Sequence, residues 1–218
     1  HFSRPIATPP TKHEGSQGSI FYPTDPQGQG TWIAGNHKYT ICLLNGGFDK
    51  HERLASYRHS RGLVVLDFFT YNSITDFVRS YNFSNLEPFT LLIISHQLQE
   101  IHQIIVTHDE VHHNILPGNL PQIWSSSTLY DEPTKTKRTK WYHNLLKSLP
   151  VDSRKALIDF HKQSIDDNQE EGIKINRDDI VRTVSLTSIY KQEDGSIDWH
   201  YEDFLQHQIH NLHVIAYT

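Results

Sequence analysis

Methionine is missing from this chain of 218 residues, and cysteine occurs once, at Cys42. A single cysteine rules out an internal disulfide and fits a reducing compartment, so a cytoplasmic location is expected. A chain without methionine is expected to be a processed or truncated product. Long apolar runs are lacking as well. Nothing approaches the ~18 residues that cross a bilayer as a helix, and HFSRPIATPP at the start does not have the pattern of a secretory leader. A basic excess is also absent, since the net charge is −5 with histidine neutral. That argues against a general nucleic-acid binder. No internal repeat, low-complexity tract or strong domain boundary stands out. The length suits one sizeable core, so a single domain over residues 1–218 is expected.

Histidine, by contrast, is plentiful at 16 residues. Below about pH 6.5 much of the negative charge would vanish or reverse as free imidazoles protonate. Two histidine-rich stretches raise the question of a metal. In THDEVHH at Thr107–His113 the neighbours His112 and His113 would point to opposite faces of a strand. His207, His210 and His213 recur every three residues, yet nothing beyond spacing supports a site. The acidic stretch Asp167–Gly172 lacks the oxygen pattern of a calcium loop. No metal is expected. The basic run KTKRTK at Lys135–Lys140 reads as the solvated face of a helix that buries Trp141, Leu145 and Leu146.

The pattern of turns and apolar runs gives a coarse architecture. Residues 1–30 read as extended chain with turns, including PTDPQGQG at Pro23–Gly30. Gly30–Ala34 and Tyr39–Leu44 form a hairpin, which Asn45-Gly46-Gly47 ends sharply. Ser60 caps a helix over Arg61–Tyr71. Ser73, with Asp76 three residues on, caps a second that runs to about Tyr81. After Pro88, FTLLIIS is a buried strand, followed by strands over Glu100–Thr107 and Val111–Leu116. Gln122–Tyr130 reads as a strand entering a serine-lined turn. Lys135–Leu149 and Asp152–Gln163 are helices separated by Pro150. Val181–Lys191 and Ser196–Phe204 make a hairpin about Glu193–Gly195, and HVIAY near the end is strand-like. Hairpins and paired helices without strict βαβ alternation give an α+β class, with an antiparallel sheet or two stacked sheets flanked by helices.

Several stretches together resemble the NRDE family, whose animal members are called transport and Golgi organisation protein 2. They are GTWI (Gly30–Ile33), CLLNGGF (Cys42–Phe48), SYRHSRG (Ser56–Gly62), EPFT (Glu87–Thr90), IWSSSTLY (Ile123–Tyr130) and TVSLTSI (Thr183–Ile189). Each is short, but they occur in order over about residues 4–205. The resemblance implies an N-terminal-nucleophile hydrolase-like fold with two stacked antiparallel sheets between helical layers. It also implies that the family's first strand, its cysteine and the NRDE residues precede this chain, with Arg4-Pro5 just after them.

Amide-bond hydrolysis of a small acidic or acylated substrate is the activity this resemblance implies. In such enzymes the first residue attacks a carbonyl while its own amine, with a pKa near 8, acts as base. His1 does not suit that role, and Cys42 sits in an apolar run as a core residue. The nucleophile is therefore expected to lie outside the chain. Asn45 and the Gly46 N–H are the candidates for holding an oxyanion. Arg58 and Arg61, at a helix entry, are candidates for a carboxylate or phosphate, unless they pair with an acid such as Asp49 or Glu52. Ser125, Ser126 and Thr128 could offer hydroxyls to a ligand, and Trp32 could form a pocket wall. These elements are expected to converge on one hollow. The alternative reading is a non-catalytic protein that binds haem or an acyl lipid as ligand and needs no cofactor for chemistry. The partner is then a small molecule, with no nucleic acid and no membrane span.

Overall fold

A computed structural model describes residues 5–149, 153–163 and 172–215. Expectations placed on His1, Arg4, Pro150, Asp152 and most of the acidic stretch before Gly172 lie outside these residues, as does the end of HVIAY. The chain separates into two compact units, one over Pro5–Leu129 and one from Tyr130 onward.

The first unit is an antiparallel meander of seven strands, β1 (Thr8–Gly15), β2 (Gly18–Thr24), β3 (Ile33–Gly35), β4 (Tyr39–Asn45), β5 (Phe89–Ser95), β6 (Glu100–Val106) and β7 (Val111–Pro117). Spatial order equals sequence order. The first hairpin was not expected. The two prolines of β1, Pro9 and Pro10, are tolerated because it is an edge strand, where a missing N–H breaks no ladder. The pairing shifts register between Thr8 and Thr11.

Between β4 and β5 the chain leaves the sheet to form α1 (Arg61–Asp67), a 3-10 turn (Phe68–Thr70) and α2 (Ile74–Ser80). The expected caps are present. Ser60 accepts from the Gly62 N–H and Ser73 from the Asp76 N–H. The first helix ends earlier than expected because its last turn tightens into the 3-10 form at Phe68–Thr70. This excursion lays Val64, Val65, Phe68, Ile74 and Phe77 on Ile41, Leu91, Ile93 and Ile104 of the sheet. Phe68 meets Tyr39 and Phe77 edge-on, with ring centroids 5.1 and 5.3 Å apart. The alternation of β4 and β6 thus places one face of the central sheet under helices. β5 is buried along almost its whole length, which explains why it reads as an unbroken apolar run.

Residues 118–131 form no strand, contrary to the expectation for Gln122–Tyr130. Their hydroxyls bond to backbone elsewhere in the unit, as described below, so turn chemistry prevails over ladder pairing.

The second unit holds α3 (Glu132–Lys147), α4 (Ser153–Lys162), the short pair β8 (Asn176–Arg177) and β9 (Val181–Arg182), and a sheet of β10 (Ser185–Lys191), β11 (Ile197–Asp203) and β12 (Gln208–Val214). β11 alternates strictly. Ile197, Trp199 and Tyr201 are buried on one face. Asp198 and Glu202 on the other pair with Arg154 and Lys162 of α4. The fold is α+β with antiparallel sheets and helices, as expected. No helix among the described residues is long and apolar enough to cross a membrane.

Candidate functional site

β4 ends at Asn45, and the chain turns through Gly46 at φ +89°, a conformation that favours glycine. A Cβ there would lie 2.1 Å from Ser127 Oγ and 2.9 Å from Thr128 Cγ2, so both side chains would have to turn aside. The Gly46 N–H donates to the Pro88 carbonyl at 2.9 Å, and the Gly46 carbonyl accepts from Thr90 Oγ1 at 3.1 Å. The N–H proposed for an oxyanion is therefore already engaged within the fold. The Asn45 side chain is exposed at the strand end.

Arg61 reaches the same carbonyl. Its Nη1 donates to Pro88 O at 2.9 Å, and its Nη2 lies 3.3 Å from Glu87 Oε2. Both side chains are mostly buried, at 16% and 21% exposed. His51 Nε2 stands 3.6 Å from the other Glu87 oxygen, with the exposed Arg53 at 4.0 Å. The acid that holds Arg61 is thus Glu87, rather than Asp49 or Glu52. Removing Glu87 would break a mostly buried ion pair, a loss of the order of 3 kcal/mol.

The serine row closes over this turn. Ser126 Oγ donates to Asn45 O at 2.6 Å and contacts Thr128 Oγ1 at 3.0 Å. Ser127 Oγ donates to Asp49 O at 3.4 Å. Ser125 is half-buried. On the far side of α1, the Thr31 N–H donates to Gly62 O at 3.1 Å. A Cβ on Gly30 would fall 2.4 Å from the Gly62 carbonyl carbon, so the GTWI and SRG backbones touch only because both positions are glycine. Trp32, half-buried beside this contact, accepts from the Leu43 N–H through its carbonyl at 2.8 Å.

Arg58 is exposed and sits in a polar group of its own. Its Nη2 is 3.2 Å from His59 Nε2 and 3.3 Å from Tyr81 Oη. His59 Nδ1 lies 2.8 Å from Ser60 O, within reach to donate to it, and its Nε2 faces Arg58 and Tyr81. Tyr81 Oη donates to Asp67 Oδ2 at 2.8 Å. Burial, reinforced by that carboxylate, pushes the Tyr81 phenol upward, so it stays a neutral donor. The Cys42 thiol is likewise pushed up by burial, to about 11, and is neutral at pH 7.

The Asn-Gly turn, the arginine helix entry and the serine row therefore come together at one end of β4 and β5. Most of their polar groups bond to one another. Arg58 and Asn45 are the members left exposed. Sequence reasoning missed Glu87, His51 and Thr90. EPFT was visible as a motif, but only the sheet topology brings its acid to Arg61. Among the described residues no cluster of three or more His, Cys, Asp or Glu side chains could hold a metal ion.

Compared with known proteins, residues 1–199 match the model of a family described as Transport and Golgi organisation 2. No curated protein matches the chain.

Proposed function

The chain belongs to the Transport and Golgi organisation 2 family, and on that premise we propose that it is a ligand-binding protein whose own side chains do no covalent chemistry. The ligand is a small acidic or acylated molecule, with haem and acyl thioesters as the leading classes, and its anionic group meets the exposed Arg58. The observation that carries this reading is the engagement of the would-be catalytic donors. The Gly46 N–H and Arg61 both end on Pro88 O, and the Cys42 thiol is held neutral. Asn45 supplies a carboxamide to the same ligand, Trp32 an apolar wall, and Ser125 and Thr128 hydroxyls, while Ser126 stays bonded to Asn45 O and holds that strand end.

A titration with haemin, followed in the Soret band, tests the first class, and displacement of a fluorescent acyl thioester tests the second. Micromolar binding that weakens about tenfold in Arg58→Ala supports the reading, in line with the loss of one charge-assisted contact. Binding of neither ligand, or binding indifferent to Arg58, removes it.

Amide hydrolysis by an N-terminal cysteine is the second reading, supported by the exposed Asn45 side chain at a strand end. It requires a nucleophile outside these 218 residues. Amidase activity of a protein extended to the family cysteine, lost on replacing that cysteine with alanine, would establish it.

A further inference from the structure

Within the second unit β10 is an edge strand, since its sheet has the order β10, β11, β12. Its backbone bonds show which residues turn outward. The Phe204 N–H donates to Val184 O at 2.9 Å, and the Gln192 N–H donates to Ser196 O at 2.8 Å. These bonds bracket the register that sets Ser185 opposite Asp203 and Lys191 opposite Ile197. In an antiparallel ladder, bonded pairs alternate with unbonded ones. The even-numbered residues of β10 therefore bond to β11, while Ser185, Thr187 and Ile189 turn their N–H and C=O groups to the outer edge.

That edge does not face open water. Residues 185–189 line a groove of about 370 Å³, whose other wall is Leu157, Ile158 and His161 of α4 together with Ile173. These strand residues are buried or half-buried, whereas β12, the opposite edge of the same sheet, exposes Gln208, Ile209, Asn211 and His213. Thr187 Oγ1 is shut off from solvent and has no hydrogen-bond partner. Apolar walls beside unpaired backbone groups create a demand for partners, because buried N–H and C=O groups are almost always bonded.

We propose that this groove binds a single extended peptide segment of a partner protein, which adds a strand to β10. The spacing of the demand selects this occupant. A donor and an acceptor recur at every second residue, which is the repeat of a strand. A second copy does not suit the groove, because a two-fold axis on this edge would set its own α4 against the same wall. Charge narrows the sequence of the segment. No residue lining the groove is acidic. Arg138, expected on the solvated face of its helix, is instead turned inward and only 9% exposed. It donates to Gly172 O, next to Ile173 of the groove wall, its Nε has no partner, and its charge acts on the His161 ring. The segment is therefore apolar or hydroxyl-bearing where it crosses the groove, with a carboxylate near His161. This site is independent of the small-molecule reading, whose residues lie in the first unit.

The probe is a fluorescein-labelled peptide of alternating valine and threonine, with glutamate at each end so that either direction sets a carboxylate near His161. Fluorescence anisotropy with the full chain should give a dissociation constant of roughly 10–100 micromolar, as expected of a few net hydrogen bonds and a small apolar contact. Thr187→Pro removes an outward N–H without touching the ladder to β11, a change that edge strands tolerate, and should weaken binding about tenfold. Of two peptides methylated on alternate amides, one should bind and the other should not, with the protein unchanged. Exchanging the glutamates for lysine should also weaken binding about tenfold. On binding, hydrogen exchange should slow at the amides of Ser185, Thr187 and Ile189, while those of Leu186 and Ser188 are slow throughout. The proposal is overturned if no binding is seen up to about 1 millimolar, or if both methylated peptides bind alike. It is equally overturned by binding indifferent to Thr187→Pro or to the lysine exchange. Odd-numbered amides already slow in the free chain would overturn it too, since a second copy or another part of the chain would then fill the edge.

Discussion

The outer strands β1 and β7 meet solvent in opposite ways. β1 carries Pro9 and Pro10, a register shift after Thr8, and a Lys12–Glu14 ion pair at 2.9 Å. The ring of His13 stacks on Tyr22 of its own neighbour strand, with centroids 3.8 Å apart. β7 carries apolar side chains and imidazoles instead. Its His113 Nε2 lies 2.9 Å from His102 Nδ1, and His102 Nε2 lies 3.4 Å from Glu100 Oε2 on β6. One edge is guarded against a partner strand, while the other pairs with a single neighbour strand among the described residues and has only its last carbonyl, Pro117 O, held by the Gln122 side chain. A sheet edge is therefore not one kind of surface.

The comparison is most easily broken from beneath β7. Ile104 is fully buried under the helices, and Ile104→Ala should cost about 3–4 kcal/mol, as large-to-small core changes do. Urea denaturation measures the loss. Hydrogen exchange should show β7 amides losing protection before those of β1. Equal loss at both edges would mean that β6 gives β7 no special support.

Acid should sharpen the contrast. Burial holds His102 and His113 below the ordinary imidazole range, more strongly than Glu100 raises His102. A group whose folded pKa is depressed binds its proton more readily when unfolded. Stability is therefore full above about pH 6.5 and declines as pH falls through that value. Protonating both rings also breaks the hydrogen bond they share, worth about 1 kcal/mol. His13 is lowered by burial as well, but it shares no such bond with a second imidazole. Between pH 7 and pH 5, β7 amides should lose more protection than β1 amides. An unchanged exchange pattern would count against the paired rings.

The guarded edge offers the smallest effect. Lys12→Val combined with Glu14→Val removes an exposed ion pair, so folding stability should move by less than about 0.5 kcal/mol. Light scattering, however, should reveal new association. If the double variant stays as soluble as the parent, the prolines alone guard β1.

These contrasts were only partly legible in the sequence. β4, β5 and β6 were readable because buried strands show as dense apolar runs, and the caps at Ser60 and Ser73 because hydroxyls before helices have a mechanism. β1 and β2 were not, since Pro9, Pro10 and the Gly15–Gly18 turn have the composition of loop. The site was legible as motifs that should meet. Its internal bonding was not, because Arg61 finds Glu87 across 26 positions, and only the return of the chain into β5 brings them together. For Gln122–Tyr130, apolar residues around three serines suggested a strand. The serines instead cap the carbonyls of Asn45 and Asp49.

The Pro88 carbonyl has a consequence for how the chain acquires its shape. Every sheet neighbour in the first unit is also the next strand in sequence, so most pairings close short loops and can form as synthesis proceeds. The exception is the join of β4 to β5, which must wait for residues 46–88 to emerge. Gly46 and Arg61 bond to Pro88 at that join, and the groups that make the family recognisable become a latch on the slowest step of assembly.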